Sequence, residues 1–131
     1  MNLNENILRI KSIMFEDING LNISMIPTKE LRRPNGSIGT QGFVSENLIK
    51  LVSYISSVMG FSLPEFDSLK DLIVYIRTKP EIVNLIFDYV KTDPIRMTIL
   101  PDGTYIVNDG NHRANLLNLL NVEFLPSIVR N

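Results

Sequence analysis

The sequence predicts a mixed α/β (α+β) domain, in which helices lie beside a small mixed sheet. Two observations predict this class. Apolar side chains between residues 45 and 91 recur at the spacing of one helix face, whereas residues 95–129 contain alternating and β-branched stretches that favour strands. A chain of 131 residues has the length of one ordinary domain, and 44% hydrophobic residues is typical of a globular core. We therefore expect a single domain over residues 1–131.

Two short strands and a loop are expected before the first helix. The apolar stretches Ile7–Phe15 and Leu21–Ile26 are predicted as strands, and Asp17, Asn19 and Gly20 between them favour a turn. The residues that follow are rich in proline and glycine, which predicts a loop.

Three helices are predicted between residues 45 and 91. Ser45 is expected to cap the first helix, and Gly60 ends its apolar pattern. Ser68 begins a sequence that resembles a capping box before the second helix. Thr78 begins a similar sequence before the third, with Pro80 in the first turn, where its missing N–H costs no hydrogen bond.

A hairpin is expected after the helices. In Ile95–Ile99, apolar residues alternate with polar ones, as in a strand with one buried face. Pro101–Gly103 has the composition of a turn, and Thr104–Asn108 contains residues that favour the returning strand. Asp109 and Gly110 then break that strand.

A helix and a last strand complete the predicted fold. Three closely spaced leucines mark the helix, and Asn121 can end it in a left-handed conformation. Phe124–Val129 is predicted as the last strand. Pro126 has no N–H to donate to a neighbour, which suggests that this strand lies at an edge of the sheet.

The glycine turn between a strand and this helix carries the candidate functional residues. The first N–H groups of a helix have no partner within it, and the helix dipole adds about half a positive charge, so an anion is stabilised there. Gly110 would let the chain approach a phosphate without a side chain in the way, and Asn111 is expected to meet the phosphate beside it. Arg113 can form paired hydrogen bonds with the phosphate oxygens, and His112 can donate another. Asp109 could bind a magnesium ion, cap the helix or accept a proton from a substrate hydroxyl. The alternative is a surface turn in which Asp109 is only a cap.

Residues 94–129 resemble the core of the ParB/sulfiredoxin superfamily. The shared features are a strand that begins at Pro94 and Ile95, the Asp109–Arg113 box, a leucine-rich helix and a final strand at Leu125–Val129. Ile23–Arg32 looks like the family's first box, a strand followed by a P-x-x-x-L turn. The resemblance implies a ParB/sulfiredoxin-like fold, a nucleoside di- or triphosphate bound at the Asp109–Arg113 box, and usually a magnesium ion, for which Asp109 is the candidate ligand.

The branches of this family imply different activities. Sulfiredoxins use a cysteine in the box, and Asn111 stands at that position in a chain without cysteine. ParB proteins hydrolyse CTP and carry a helix-turn-helix domain after this core, which we do not expect here because the sequence ends after the last strand. Free serine kinases share a D-G-x-H-R box that holds ADP, but the glutamate that serves as their base has no match after Leu31, where Arg32 and Arg33 follow.

The leading hypothesis is a nucleotide-binding domain that acts as a magnesium-dependent phosphoryl transferase or nucleotide hydrolase, with Asp109 and His112 as catalytic candidates. A second hypothesis is a non-catalytic module that senses a nucleotide and binds a protein partner, or a second copy, through a helical insertion at about residues 61–91. A weaker alternative is a ParB-like nuclease, which would gather several carboxylates around metal ions, whereas Asp109 is the one candidate. The net charge of −1, from 13 basic and 14 acidic residues, gives no global sign of a nucleic-acid partner.

The loop before the first helix holds a basic cluster of Lys29, Arg32 and Arg33. It is either a solvated loop or a segment that closes over the phosphates, in which case Arg32 or Arg33 contacts them.

Nothing in the sequence predicts a membrane segment. The longest apolar run, Leu72–Ile76, is far shorter than the roughly 20 residues that span a bilayer, and the N-terminus lacks the pattern of a secretory signal. We therefore expect a cytoplasmic protein.

Overall fold

The sheet is mixed, as predicted for this fold class. The computed structural model describes residues 22–31 and 45–130, and within them four strands form one sheet. The strands are β1 (Ser24–Pro27), β2 (Ile95–Ile99), β3 (Tyr105–Asp109) and β4 (Phe124–Arg130), in the spatial order β1-β4-β2-β3. β4 is antiparallel to β1 and parallel to β2, and β2 is antiparallel to β3. The strand predicted at Ile7–Phe15 lies outside the described residues.

The three helices predicted between residues 45 and 91 are confirmed. They are α1 (Ser45–Met59), α2 (Leu69–Arg77) and α3 (Pro80–Thr92), and the helix after the glycine turn is α4 (Asn111–Leu119). Ser45 is the first helical residue of α1, and the residue before it lies outside the described residues, so the cap role of Ser45 stays a prediction. Asn121 follows α4 with a φ of 63°, which confirms its predicted left-handed conformation.

The two predicted capping boxes have different outcomes. The Ser68 hydroxyl accepts a hydrogen bond from the Asp71 N–H at 3.2 Å, so Ser68 caps α2 as predicted. The Thr78 hydroxyl instead donates to the Tyr75 carbonyl at 2.6 Å, at the end of α2. Lys79 precedes α3 and makes no side-chain cap bond within the described chain, so the prediction for Thr78 is wrong. Pro80 begins α3, as expected for a residue without an N–H.

The helices and the sheet share a hydrophobic core that fixes the position of α4. α1 packs against α3 and α4, α3 contacts β4, and α4 contacts β2. Each fully buried aliphatic side chain contributes roughly 1.5–3 kcal/mol to folding. In the described residues, the largest of these side chains come from all four helices and from two strands: Leu48, Ile55, Leu72, Ile76, Ile86, Ile95, Met97, Leu116, Leu117 and Leu125.

The last strand is internal, which corrects the prediction made from Pro126. β4 lies between β1 and β2, and Pro126 pairs with Met25 in β1. The pairing with β2 begins one residue later, where Ser127 lies opposite Ile95. At Pro126, β4 is paired with β1 but not with β2, so the missing N–H of this proline leaves no ladder hydrogen bond to β2 unmade.

The sheet is curled, because one short segment reaches both of its edges. β1 lies at one edge, and Leu31, four residues after its end, forms a parallel bridge with Tyr105 in β3 at the other edge. In a flat sheet with strands about 4.8 Å apart, a segment paired to the far side of β3 would lie about 19 Å from β1. Four residues span at most about 14 Å, so the two edges approach each other.

No helix in the described residues is both long and apolar enough to cross a bilayer.

Candidate functional site

The start of α4 leaves three backbone donors facing out of the helix. β3 ends at Asp109, and Gly110 turns the chain with φ 102° and ψ 26°. The first helical hydrogen bond runs from the Ala114 N–H to the Gly110 carbonyl at 2.8 Å. The preceding N–H groups, of residues 111–113, have no partner within the helix. The cap is a glycine and the first turn holds no acidic residue, so in the described part of the chain the carboxylate nearest in sequence is that of Asp109, just before the cap.

These donors border a cleft of about 290 Å³. Leu51 of α1 and residues 108–113 line it, so the predicted box is gathered around one opening. Asp109 is exposed there, with 68% of its side chain accessible. The cap residue of α4 is Gly110, and no side chain forms a cap bond there in the described residues. The alternative role of Asp109 as the helix cap is therefore wrong. Leu51 was not predicted, because its spacing in the sequence marks it only as part of an apolar helix face.

Arg113 ties α4 to the junction between α3 and β2. Its Nη1 lies 3.3 Å from Oδ2 of Asp93, and its Nη2 donates to the Pro94 carbonyl at 3.3 Å. Nη2 also lies 3.8 Å from Oδ2 of Asp109, a longer and more exposed contact that contributes little. Only 15% of the Arg113 side chain is exposed. This residue is thus part of the framework as well as of the cleft, a role that the box pattern did not predict.

The space over Gly110 is occupied by the Arg113 guanidinium. A β-carbon added at Gly110 would lie 2.9 Å from Nη2 and 3.2 Å from Cζ of Arg113, and 3.3 Å from the Ile95 Cα. The expected reason for this glycine was close approach of a ligand. The structure gives two others, the positive φ and the packing of Arg113 against the turn.

Three buried nitrogen atoms near the start of α4 lack hydrogen-bond partners among the described residues. They are Nε2 of His112, Nε of Arg113 and Nδ2 of Asn115. Asn115 is 1% exposed, and a buried polar group left unpaired costs about 1–3 kcal/mol, so such groups usually meet water or a ligand. Asn115 was missed by sequence reasoning, because a helical asparagine has no pattern that distinguishes a buried position from an exposed one.

Electrostatic coupling extends from Arg113 to a pair of tyrosines. The rings of Tyr54 in α1 and Tyr89 in α3 meet edge to face, with centroids 6.0 Å apart and planes at 80°. Burial raises the pKa of Tyr89 above its ordinary value of 10.0, and the charge of Asp93 and the neighbouring Tyr54 raise it further. Arg113 acts on the Tyr89 pKa in the opposite direction. The tyrosine pair is therefore next to the ion pair that borders the cleft.

The basic cluster is only partly described. Arg32 and Arg33 lie outside the described residues, so their predicted contacts with phosphate stay predictions. Lys29 lines a different cleft of about 730 Å³, formed with Thr28, Glu30 and Asn121–Phe124 beyond the end of α4. Because nine helical residues span about 14 Å, Lys29 and the box lie at opposite ends of α4.

No group of three or more metal-ligating side chains occurs in residues 22–31 and 45–130. A magnesium ion at Asp109 would therefore draw its other oxygen ligands from phosphate and water, as this ion commonly does.

No protein-family model matches the chain, and no curated protein is detectably similar to it. Membership of the ParB/sulfiredoxin superfamily stays a prediction from the residues that carry the resemblance.

Proposed function

We propose that this protein binds the phosphates of a nucleoside di- or triphosphate at the start of α4. The observation that carries the proposal is the cleft at the first turn of α4, where three N–H groups have no partner within the helix, the turn holds no acidic side chain, and His112 and Arg113 line the opening. Nε2 of His112 and Nε of Arg113 are buried and have no hydrogen-bond partner in the described residues. A phosphate supplies the acceptors that such donors lack, and the helix dipole favours its charge.

In this proposal, each residue of the Asp109–Arg113 box has a separate role in binding. The N–H groups of residues 111–113 cradle a phosphate, and His112 donates to one of its oxygens. Arg113 contributes charge from the wall of the cleft. Asp109, exposed at the mouth, binds a magnesium ion that the phosphates also hold, or accepts a proton from an attacking hydroxyl. Phosphoryl transfer or hydrolysis then depends on positioning and charge stabilisation.

A non-catalytic sensing role is the second candidate, and the contacts of Arg113 favour it. A phosphate that draws on Arg113 competes with the Asp93 carboxylate and the Pro94 carbonyl, which lie where α3 meets β2. Nucleotide binding would then change the contacts that join α4 to α3, and a partner on the helices could detect that change.

Binding is tested by thermal shift with ATP, ADP, CTP, GTP and inorganic phosphate, each with magnesium. A ligand at 100 times its Kd adds about 2.7 kcal/mol of stability. Asn111→Asp is the informative variant, because a carboxylate at the first helical position suits the dipole yet repels phosphate. Asn84→Asp makes the same chemical change at an exposed position in α3 and serves as the matched control. We expect Asn111→Asp to fold normally and to lose the nucleotide-dependent shift, while the control keeps it.

An equal nucleotide-dependent shift in both variants would refute phosphate binding at the start of α4. Turnover then separates the two candidate functions. Loss of phosphate release in Asp109→Asn with retained binding supports the enzyme, whereas binding without turnover of any nucleotide by the unmodified protein supports the sensing module.

A further inference from the structure

An exposed aromatic ring lies on the flank of the phosphate cleft. Tyr54 is 56% exposed, so more than half of this residue is open to a ligand. It follows Leu51, which lines the cleft, by three residues in α1. Residues three apart on a helix are surface neighbours, with β-carbons about 5–6 Å apart, so Tyr54 lies next to Leu51, just outside the residues that line the cleft.

A second set of contacts leads from the cleft to the same ring. Arg113 lines the cleft and pairs with Asp93 at 3.3 Å, and the charges of both act on the Tyr89 hydroxyl. Tyr89 in turn meets Tyr54 edge to face. An edge-to-face contact covers at most one face of a ring. Tyr89 therefore supports the Tyr54 ring, while more than half of Tyr54 stays exposed.

We propose that Tyr54 stacks against the base of the nucleotide whose phosphates bind at the start of α4. This inference rests on the proposed function and adds the determinant that selects a nucleotide over other phosphorylated molecules. A nucleotide carries an aromatic ring one sugar away from its phosphates, which matches a donor-lined cleft with an open aromatic ring beside it. Pyrophosphate or a sugar phosphate would use the donors and leave Tyr54 uncovered.

Stacking on Tyr54 predicts different effects of a Tyr54 substitution on the affinity for nucleotides and on the affinity for pyrophosphate. Because every base has a π face, stacking alone adds affinity for any nucleotide and discriminates little between bases. Removal of the ring should lower nucleotide affinity about 5- to 150-fold, the range expected for one base–aromatic stack. It should leave the affinity for pyrophosphate unchanged, since that ligand has no ring.

The test is calorimetric titration of ADP and of pyrophosphate, both with magnesium, into the unmodified protein, Tyr54→Ala, Tyr54→Leu and Tyr54→Phe. Tyr54→Leu keeps apolar bulk in case the alanine variant folds poorly, and Tyr54→Phe keeps the ring. Val74→Ala, at an exposed position in α2 of 50% accessibility, is the control for loss of a surface hydrophobic side chain. We expect weaker ADP binding in Tyr54→Ala and Tyr54→Leu only. The affinity for pyrophosphate should be equal in all five proteins.

Three other outcomes overturn the inference, and they differ from one another. If Tyr54→Ala and Tyr54→Leu bind ADP as well as the unmodified protein does, the ring has no role and phosphate binding stands alone. If they lose ADP and pyrophosphate to the same extent, Tyr54 only supports the cleft. If the unmodified protein binds neither ligand, the proposed function fails as well.

Discussion

Gly110→Ala should destabilise the protein more than alanine at any other described glycine. Gly110 has a φ of 102°, and a left-handed conformation costs an L-residue about 1–2 kcal/mol. Its new β-carbon would lie 2.9 Å from Nη2 of Arg113, a separation that requires movement. The guanidinium can move only by loosening its contacts with Asp93 and the Pro94 carbonyl, which adds about 1–2 kcal/mol. The new β-carbon would also lie 3.3 Å from the Cα of Ile95, and this backbone atom limits how far the turn can shift to relieve the contact. We expect a total loss of about 2–4 kcal/mol.

Two other glycines isolate the part of this loss that comes from contact. Gly60 and Gly103 also have positive φ values, 79° and 88°, but an added β-carbon would meet no atom within 4 Å at either position. Alanine there should cost only the backbone term of about 1–2 kcal/mol. The free energy of unfolding, measured by urea denaturation and circular dichroism, gives the comparison directly.

The difference between Gly110→Ala and the two control variants should therefore be about 1–2 kcal/mol. In an Arg113→Ala background, most of that difference should vanish, because the side chain that meets the new methyl group is gone. Equal losses at all three glycines would refute the described packing of Arg113 against the turn, and with it the framework role of this residue.

Two further predictions concern Tyr89 and the helix caps. Because the folded Tyr89 pKa is raised, the unfolded chain loses this proton first as pH rises, so the stabilisation present below about pH 10 is lost as pH rises through the folded pKa. Asp93→Asn should lower that pKa without restoring the ordinary value, since burial is the larger cause, and NMR titration of labelled tyrosine would show the change or contradict it by its absence. Ser68→Ala should cost about 1 kcal/mol of unfolding free energy through loss of a cap. Thr78→Ala should cost less, since Thr78 caps no helix start; equal losses in urea denaturation would contradict that assignment.

Elements controlled by local sequence were predictable, and the helix caps show where that control ends. Ser68 could be identified because its partner, the Asp71 N–H, lies three residues away. Thr78 has the same pattern, but α2 ends just before it, so its hydroxyl donates to the Tyr75 carbonyl of that helix. Two local solutions of similar energy exist there, and the pattern alone does not choose between them.

Strand order and the surroundings of the box depend on contacts between distant parts of the chain. Pro126 indicates that a neighbouring strand is missing, which is true on the β2 side of this residue. It could not reveal that β2 pairs with the four residues of β4 that follow. The strand, glycine turn and helix around Gly110 were predicted because each follows from adjacent residues. Leu51 and Asp93 were not, because Leu51 reaches the cleft, and Asp93 its partner Arg113, only once α1 and the end of α3 pack beside α4.

The two roles of Arg113 are compatible, because its contacts differ in strength. The Pro94 carbonyl and Asp93 hold the guanidinium at 3.3 Å, whereas Asp109 lies at 3.8 Å with 68% of its side chain exposed, so Asp109 is the partner most easily displaced. If the protein is an enzyme, a phosphate at the start of α4 would take the place of Asp109 while the attachment to the framework persists; the sensing role instead requires that the contact with Asp93 or Pro94 is lost. The released carboxylate would then face the bound phosphate, where a cation would relieve the repulsion between them. Under the proposed function, the same displacement that completes the phosphate site thus prepares Asp109 to bind magnesium.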